Sequence, residues 1–341
     1  MSLTQSILDG NRLALARLLT QAENDSQEGR ATLAELFPYT GKAHLIGVTG
    51  APGTGKSSLV NQLALYYRKN ADKKVAIVAV DPSSPFTGGA VLGDRVRMRD
   101  LSGDPGVFIR SMATRGSLGG IARKTASLVQ IFDAAGYEIV IIETVGAGQS
   151  EVDVASLAHT TVVVEAPGLG DEIQAIKAGI LEIADILVIN KADRPGVENT
   201  ERAIRSTLEL AHPSKRVSPA LAGGTRVRHH GKDMSISAPK IDPTLWIPPV
   251  IKTIATEGKG IDELASAIAK HMEYLQQSGD WAARDRARLG SEVDTLLREA
   301  LLDRFLENVE GQNYEEIMER VVDRSISPHE AVTKLLNGNR T

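Results

Sequence analysis

A glycine-rich segment at residues 50–57 reads Gly-Ala-Pro-Gly-Thr-Gly-Lys-Ser, which matches the pattern GxxxxGK[ST] of nucleotide phosphate loops. Its glycines let the backbone turn tightly, so that N–H groups converge on a phosphate, and the helix that follows adds its partial positive charge. In such a loop the lysine bridges the β- and γ-phosphates, and the serine hydroxyl binds Mg²⁺. We therefore expect a catalytic lysine, a metal-binding serine and phosphate contacts from Gly50, Gly53, Thr54, Gly55, Lys56, Ser57 and Ser58.

Three acidic residues are candidates for the rest of the metal site. Asp81 and Glu143 each directly follow an apolar run, and open α/β sheets bind ligands at the carboxyl ends of their strands. Asp94 lies in a segment rich in serine, proline and glycine, which predicts a loop. Mg²⁺ keeps several waters and takes one or two protein carboxylates, so the residue types leave the choice among the three open.

Hydrolysis depends on the segment that begins at Glu143. This residue stands where many GTPases carry an aspartate, and Gly146 can offer its N–H group to the γ-phosphate. The glutamine that orients the attacking water in many such enzymes would directly follow that glycine, but Ala147 occupies the place and Gln149 comes later. We therefore keep Glu143 as a candidate catalytic residue and predict slow intrinsic hydrolysis.

An NKxD tetrad at residues 190–193 indicates which base is bound. The Asp193 carboxylate can accept hydrogen bonds from guanine N1–H and the 2-amino group, whereas adenine offers no matching donors. Asn190 is expected to tie this loop to the phosphate loop, and the stem of Lys191 to cover the base plane. The N–H group of Ala255 is expected to reach guanine O6. The tetrad predicts that the bound nucleotide is GTP or GDP.

The elements that must position these motifs alternate between apolar strands and helical segments. Runs that are apolar and β-branched at every position suit strands covered on both faces, and the strand–helix order predicts a mostly parallel sheet with right-handed crossovers. We therefore predict an α/β fold of the P-loop NTPase class, flanked by helices. The predicted strands are residues 43–48, 75–80, 139–142, 161–164, 186–189 and 250–254.

Helical patterns at both ends extend this core. We predict an N-terminal helical extension at residues 1–40, a GTPase domain at residues 41–275 with an insertion loop at about 214–245, and a C-terminal helical arm at residues 276–341. The arm either packs on its own domain or forms a dimer, and a helical tail beyond a complete domain favours the dimer. Its apolar stripe consists of Val293, Leu296, Leu297, Ala300, Leu301 and Phe305.

Composition narrows the class of protein and its partners. The net charge of −4 gives no reason to expect a nucleic-acid partner or an anionic membrane surface. The chain has no cysteine, which excludes disulfides and thiol catalysis. No apolar run has the length of a membrane span, and the first residues do not resemble a secretory or mitochondrial leader. We expect a soluble cytoplasmic protein.

Several longer motifs together carry a family resemblance that covers about residues 41–298. The chain resembles the MeaB/ArgK family of GTPases, which includes the human methylmalonic aciduria type A protein. These motifs are residues 50–58, 80–84, 88–98, 143–151 and 167–171.

The resemblance implies a GTP-dependent chaperone of adenosylcobalamin-dependent acyl-CoA mutases, usually methylmalonyl-CoA mutase, that protects the mutase and gates cofactor loading. Family members are homodimers joined through C-terminal helical arms. In the family, acids matching Asp81, Asp94 and Glu143 surround Mg²⁺. A loop after the fourth predicted strand responds to the partner, and the residues matching Gln174 and Lys177 take part in partner-stimulated hydrolysis.

Two other functions are compatible with the same motifs. One is a kinase or ATPase that acts on a periplasmic arginine/ornithine transport protein, a role attached to the family by name, although the sequence shows no HRD-type base for an acceptor hydroxyl. The other is a nucleotide-dependent binding module whose hydrolysis is incidental. GTP turnover with and without a cobalamin mutase separates these functions from the chaperone.

Overall fold

A central sheet organises the part of the chain that the computed structural model describes, namely residues 2–82, 98–101, 103–114, 118–144, 155–168, 182–211, 245–308 and 311–337. Within these ranges the sheet has seven strands, all parallel, in the order β3-β2-β4-β1-β5-β6-β7. This confirms the predicted α/β fold of the P-loop NTPase class. The strands are β1 (His44–Thr49), β2 (Val75–Pro82), β3 (Val107–Thr114), β4 (Ile139–Thr144), β5 (Thr160–Glu165), β6 (Ile186–Ile189) and β7 (Val250–Lys252).

Helices cover both faces of this sheet, as the all-apolar strands require. Most of the predicted helical segments are present, and the N-terminal one is divided into three helices that begin with side-chain caps from Ser2, Asn11 and Ser26. The helices are α1 (Leu3–Leu8), α2 (Arg12–Glu23), α3 (Gln27–Leu36), α4 (Lys56–Ala71), α5 (Leu118–Ala134), α6 (Val197–Ala211), α7 (Ile261–Ser278), α8 (Asp280–Asn308), α9 (Gly311–Val322) and α10 (Pro328–Asn337).

Alternate side chains of each central strand enter two different hydrophobic cores. In β1, Ile46 packs with residues of α4 and α7, whereas Leu45 packs with residues of α2 and α5. Each strand residue is therefore buried on one face or the other, and β1 and β4 are buried along their whole length. Burial on both faces fixes the register of the strands, and so the positions of the loops at their carboxyl ends.

The edge strand β3 was not predicted, because Arg110 and Ser111 interrupt its apolar run. The structure explains the arginine, since its guanidinium pairs with Glu23 on α2. Arg12 on the same helix donates hydrogen bonds to the carbonyls of Pro105 and Val107, at 2.7 and 2.9 Å. The N-terminal helices are thus bound to this edge of the sheet by charged side chains as well as by the core.

Contacts divide the chain into two compact units, Met1–Arg286 and Ala287–Thr341. In the second unit, α9 and α10 form a small core of their own. Much of the apolar stripe predicted on α8 is exposed, including Leu297 at 54%. Within the described residues, no helix is both long enough and apolar enough to cross a membrane. The predicted domain boundaries at residues 40 and 275 stay predictions, and the insertion at about 214–245 lies almost wholly outside the described residues.

Candidate functional site

The phosphate loop connects β1 to α4, which is the strand–loop–helix context that the motif requires. Gly50 has φ +136, and a Cβ atom there would lie 2.1 Å from the carbonyl oxygen of Val164 on β5. Gly55 has φ +93 and precedes α4, and a Cβ there would lie 2.5 Å from Nδ2 of Asn190. Both positions therefore require glycine, for backbone conformation and for the close approach of a neighbouring element.

Lys56 is buried in this loop, at the first residue of α4. Its Nζ atom donates hydrogen bonds to the carbonyl oxygens of Gly50 and Ala51, at 2.7 and 3.0 Å. The hydroxyl of Thr54 donates to the same Ala51 carbonyl at 2.9 Å. These contacts hold the ammonium group inside the curve of the loop, where the sequence predicts the β- and γ-phosphates.

Ser57 and Glu143 lie together beside this loop. The Ser57 hydroxyl donates a hydrogen bond of 2.6 Å to Oε1 of Glu143, and Glu143 is 4% exposed. Register explains the proximity, because Val48 of β1 pairs with Glu143 of β4 just before the phosphate loop. A hydroxyl and a carboxylate at a helix N-terminus are hard oxygen donors, so these residues fit a Mg²⁺ ion that keeps several of its waters.

The other two candidate acids differ in what the structure shows. The backbone of Asp81 lies in β2, and β2 pairs with β4 through Ala79 and Glu143, so Asp81 follows this pair along the neighbouring strand. The position of its side chain, and all of Asp94, lie outside the described residues. Among the described residues there is no group of three or more histidine and acidic side chains that could hold a metal ion. The metal ligation of Asp81 and Asp94 stays a prediction.

The side chain of Asn190 joins three loops at the end of β6. Its Nδ2 group donates to the Thr54 carbonyl at 2.9 Å, which is the expected tie to the phosphate loop. Its Oδ1 atom accepts hydrogen bonds of 3.1 Å from the Thr253 hydroxyl and from the Ala255 N–H group. Asn190 is buried, so each of these bonds is shielded from water. Since the Ala255 N–H group is already bonded to Asn190, guanine O6 must compete for it.

The remaining residues of the tetrad face outward from this junction. Lys191 adopts φ +57 and donates from Nζ to the Gly53 carbonyl at 2.5 Å, so its stem spans the two loops. The Ala192 N–H group donates to the Thr253 carbonyl at 3.0 Å. Asp193 is exposed, which leaves its carboxylate accessible to a base. These positions are compatible with the predicted roles, in which the Lys191 stem covers the base plane and the Asp193 carboxylate accepts hydrogen bonds from the base edge.

Thr253 positions the base tetrad, a role that the sequence reasoning did not single out. It is buried, its hydroxyl bonds to Asn190, its N–H group donates to the Ile189 carbonyl at 2.9 Å, and its carbonyl orders the tetrad. The available signal was a hydroxyl residue directly after a short strand, two residues before Ala255. By contrast, Gly146, Gln174 and Lys177 lie outside the described residues, and their roles stay predictions.

Comparisons with known proteins agree with this geometry. The family model described as "Methylmalonyl Co-A mutase-associated GTPase MeaB" matches residues 15–310. A Pyrococcus abyssi protein is 42% identical over 334 residues, which are 98% of this chain and 95% of that protein. Its name gives GTPase as a proposed activity. A Caenorhabditis elegans protein named "Methylmalonic aciduria type A homolog, mitochondrial" is 32% identical over 299 residues, covering 83% of this chain and 68% of that protein.

One solved structure is similar over nearly the whole chain. The crystal structure of a LAO/AO transport system kinase matches with a TM-score of 0.66 and 26% identity, covering 99% of this chain and 97% of that one. The family match covers all seven strands of the sheet, the phosphate loop and the base loop. This chain therefore belongs to the MeaB family of P-loop GTPases.

Proposed function

We propose that this GTPase is a chaperone of an adenosylcobalamin-dependent acyl-CoA mutase, with methylmalonyl-CoA mutase as the first candidate partner. The family description names a mutase-associated GTPase, and a relative bears the name of methylmalonic aciduria. The structural observation behind the proposal is the pair formed by Ser57 and Glu143 beside a phosphate loop that Asn190 ties to the base loop. Such a site couples the γ-phosphate to neighbouring loops, as a nucleotide-dependent switch requires.

Each part of the site has a defined task in this proposal. Lys56 and the N-terminus of α4 bind the phosphates, and Asp193 selects guanine. Ser57 and Glu143, with Asp81 and Asp94, would hold Mg²⁺, which neutralises charge on the phosphates when it is bound. In this proposal the chain's own contribution to hydrolysis is the positioning of the nucleotide and the stabilisation of its charge.

The proposed regulation lies in the two segments that follow β4 and β5. Gly146 would contact the γ-phosphate, but Ala147 cannot orient the attacking water as a glutamine would, so intrinsic hydrolysis is slow. The mutase would bring Gln174 and Lys177 toward the phosphates, where a lysine neutralises charge that develops in the transition state. Hydrolysis would then time the release or loading of the cofactor.

We also propose that the chain is a cytoplasmic homodimer joined through its C-terminal helical arm. In support, α8 exposes four large apolar side chains of the predicted stripe, Val293, Leu296, Leu297 and Leu301. Exposed apolar area of this kind marks protein–protein interfaces. Sedimentation at micromolar concentration should show a dimer, and Leu297→Glu with Leu301→Glu should shift it to a monomer.

The proposed function is tested by cofactor loading of a mutase. Apo-mutase is mixed with this protein and adenosylcobalamin, and holo-mutase formation is followed by absorbance in the presence of GTP, GDP or a non-hydrolysable GTP analogue. We expect loading to depend on which nucleotide is bound. Loading that is the same with every nucleotide, and the same without the protein, would contradict a chaperone role.

A second function also has support, because a solved structure that is similar over nearly the whole chain is that of a transport system kinase. Transfer of the γ-phosphate of GTP or ATP to a periplasmic arginine/ornithine-binding protein would support that function over the chaperone. Tight GTP binding without any partner-dependent turnover would instead indicate a nucleotide-dependent binding module.

A further inference from the structure

A polar cluster, buried except for the partly exposed Arg284, lies at the amino ends of β1, β5 and β6, opposite the edge that forms the nucleotide site. Its members are Asp185, which directly precedes β6, together with His44, Thr160, His271 and Arg284. Asp185 is 7% exposed and His271 is fully buried. None of these residues takes part in the proposed nucleotide chemistry, so the cluster needs an explanation of its own.

The Asp185 carboxylate is the centre of this cluster. It accepts two hydrogen bonds of 2.8 Å from the guanidinium of Arg284 on α8 and one of 2.8 Å from the Thr161 N–H group on β5. Nε2 of His271 on α7 lies 3.3 Å from its Oδ1 atom. Burial alone would raise the pKa of Asp185, but His271 and Arg284 outweigh it and lower the pKa, so the carboxylate is ionised. We call Asp185, His271 and Arg284 the basal latch.

Histidine contacts extend the latch across the amino ends of β1 and β5. The Thr160 hydroxyl bridges Nε2 of His44 at 2.7 Å and Nδ1 of His271 at 2.9 Å. The Leu45 N–H group donates to Nδ1 of His159 at 3.1 Å, which ties this ring to the backbone of β1. The amino ends of β1, β5 and β6 are therefore connected by specific, directional hydrogen bonds rather than by apolar packing alone.

Both tryptophans of the chain contact this cluster. Trp281 on α8 stacks on the His159 ring with centroids 3.9 Å apart. Trp246 donates from Nε1 to the Asp185 carbonyl at 2.8 Å and lies 4.7 Å from the His271 ring. No tryptophan lies in the phosphate loop or the base tetrad, so intrinsic fluorescence reports the latch and not the nucleotide site directly.

A short strand joins the latch to the base loop. Asp185 and Asn190 are separated only by the four residues of β6, all of which are buried. At its other end the strand is bound through the Asn190 N–H group to the Glu165 carbonyl at 2.8 Å. Close packing leaves such a strand little freedom to deform, so a displacement of Asp185 is transmitted along it to the base loop.

We propose that the basal latch positions the base loop, with Asp185 and Arg284 as positioning residues for guanine recognition. Arg284 holds Asp185 against the first residues of β5, and β6 then presents Asn190 and Asp193 at the place where the base is read. This inference rests on the proposed nucleotide site. It adds a control on base recognition that begins in the first turns of α8.

The experiment compares R284Q with the wild-type chain and with the matched control variant R30Q. In the wild-type chain, Arg30 forms an exposed ion pair with Asp25 outside the latch. Binding of GDP and of inorganic pyrophosphate is measured by calorimetry, and tryptophan emission is recorded during each GDP titration. Circular dichroism establishes that each variant is folded.

For the wild-type chain we expect GDP to change the tryptophan emission although both tryptophans lie at the latch. For R284Q we expect about ten-fold weaker GDP binding, since small misplacement of binding groups costs about that much or more. Its pyrophosphate affinity should remain that of the wild type, and its emission change should be lost. R30Q should match the wild type in every measurement.

Several results would overturn the inference. The first is that R284Q binds GDP as tightly as the wild type does. The second is that R284Q loses affinity for GDP and for pyrophosphate equally. The third is that GDP leaves the tryptophan emission of the wild-type chain unchanged. If R284Q does not fold, R284K decides the matter. It keeps the charge but not the paired bonds, and it should weaken GDP alone by about three-fold, whereas unchanged GDP affinity would refute the latch. A wild-type chain that binds pyrophosphate but no GDP would refute the base site itself.

Discussion

Acidification should destabilise the first unit through His44, a histidine that is buried at the start of β1. Burial is the main reason that the pKa of His44 falls from 6.5 to about 3, and the neighbouring His159, His271 and Lys73 lower it further. Asp185 opposes the shift but does not cancel it. The folded chain therefore keeps His44 neutral at mildly acidic pH, where the unfolded chain protonates it.

The size of the effect follows from proton linkage. Because the unfolded state binds the extra proton, stability is fully present above the unfolded pKa of 6.5 and is lost as the pH falls toward 3. Each pH unit below the unfolded pKa lowers the free energy of unfolding by about 1.4 kcal/mol for one proton. Between pH 7 and pH 5, His44 should therefore remove about 2 kcal/mol from the free energy of unfolding.

Urea unfolding followed by tryptophan fluorescence measures this loss. Trp281 lies 5.7 Å from the His44 ring, so its emission reports the relevant region. H44Q retains an amide that can bond to Thr160 but does not titrate. We expect the wild-type chain to lose about 2 kcal/mol more than H44Q between pH 7 and pH 5. H329Q, which replaces an exposed histidine on α10, should behave as the wild type.

The comparison has a clear refuting result. Other groups also titrate over this range, but they are common to both chains, so their effect cancels in the difference. If the wild-type chain and H44Q lose the same stability between pH 7 and pH 5, His44 is not the buried neutral group described here.

Three further predictions concern the nucleotide site and the strand that leads to it. G50A should abolish nucleotide binding in calorimetry, since its Cβ atom would lie 2.1 Å from the Val164 carbonyl oxygen, and affinity equal to that of the wild type would contradict this. D193N should bind XTP at least about ten-fold more tightly than GTP, because its amide N–H group can donate to the 2-carbonyl of xanthine. A D193N chain that still prefers GTP would refute the base site. D133N should lower the unfolding free energy by about 2 kcal/mol, because that carboxylate accepts from the N–H groups of residues 41–43, and an unchanged urea midpoint would contradict this.

The parts of the site that the sequence predicted are those encoded in contiguous motifs. Residues 50–57 and the tetrad that begins at Asn190 each specify a loop whose geometry depends on neighbours in the chain. The strands were recognisable because parallel strands buried on both faces are apolar at every position. Their ends were less certain, and Glu143 proved to lie within β4 because that strand continues through Thr144.

What the sequence did not predict depends on residues that are distant in the chain. The strand β3 carries Arg110, whose partner Glu23 belongs to a helix near the N-terminus, so this strand lacks the continuous apolar pattern of the others. The basal latch joins Asp185, His271 and Arg284, and no local pattern relates these positions. Without the fold, a single histidine or arginine in the sequence gives no indication of its partner.

In the proposed function a partner controls the hydrolysis of GTP by this chain, and steady-state turnover measures that control. GTP hydrolysis is measured for the wild-type protein alone and for the wild-type protein with saturating methylmalonyl-CoA mutase. It is also measured for the K177A variant with the same concentration of mutase. We predict slow turnover alone, at least about ten-fold stimulation by the mutase, and little stimulation of K177A. Turnover that is fast without the mutase, or that the mutase leaves unchanged, would contradict the proposed function.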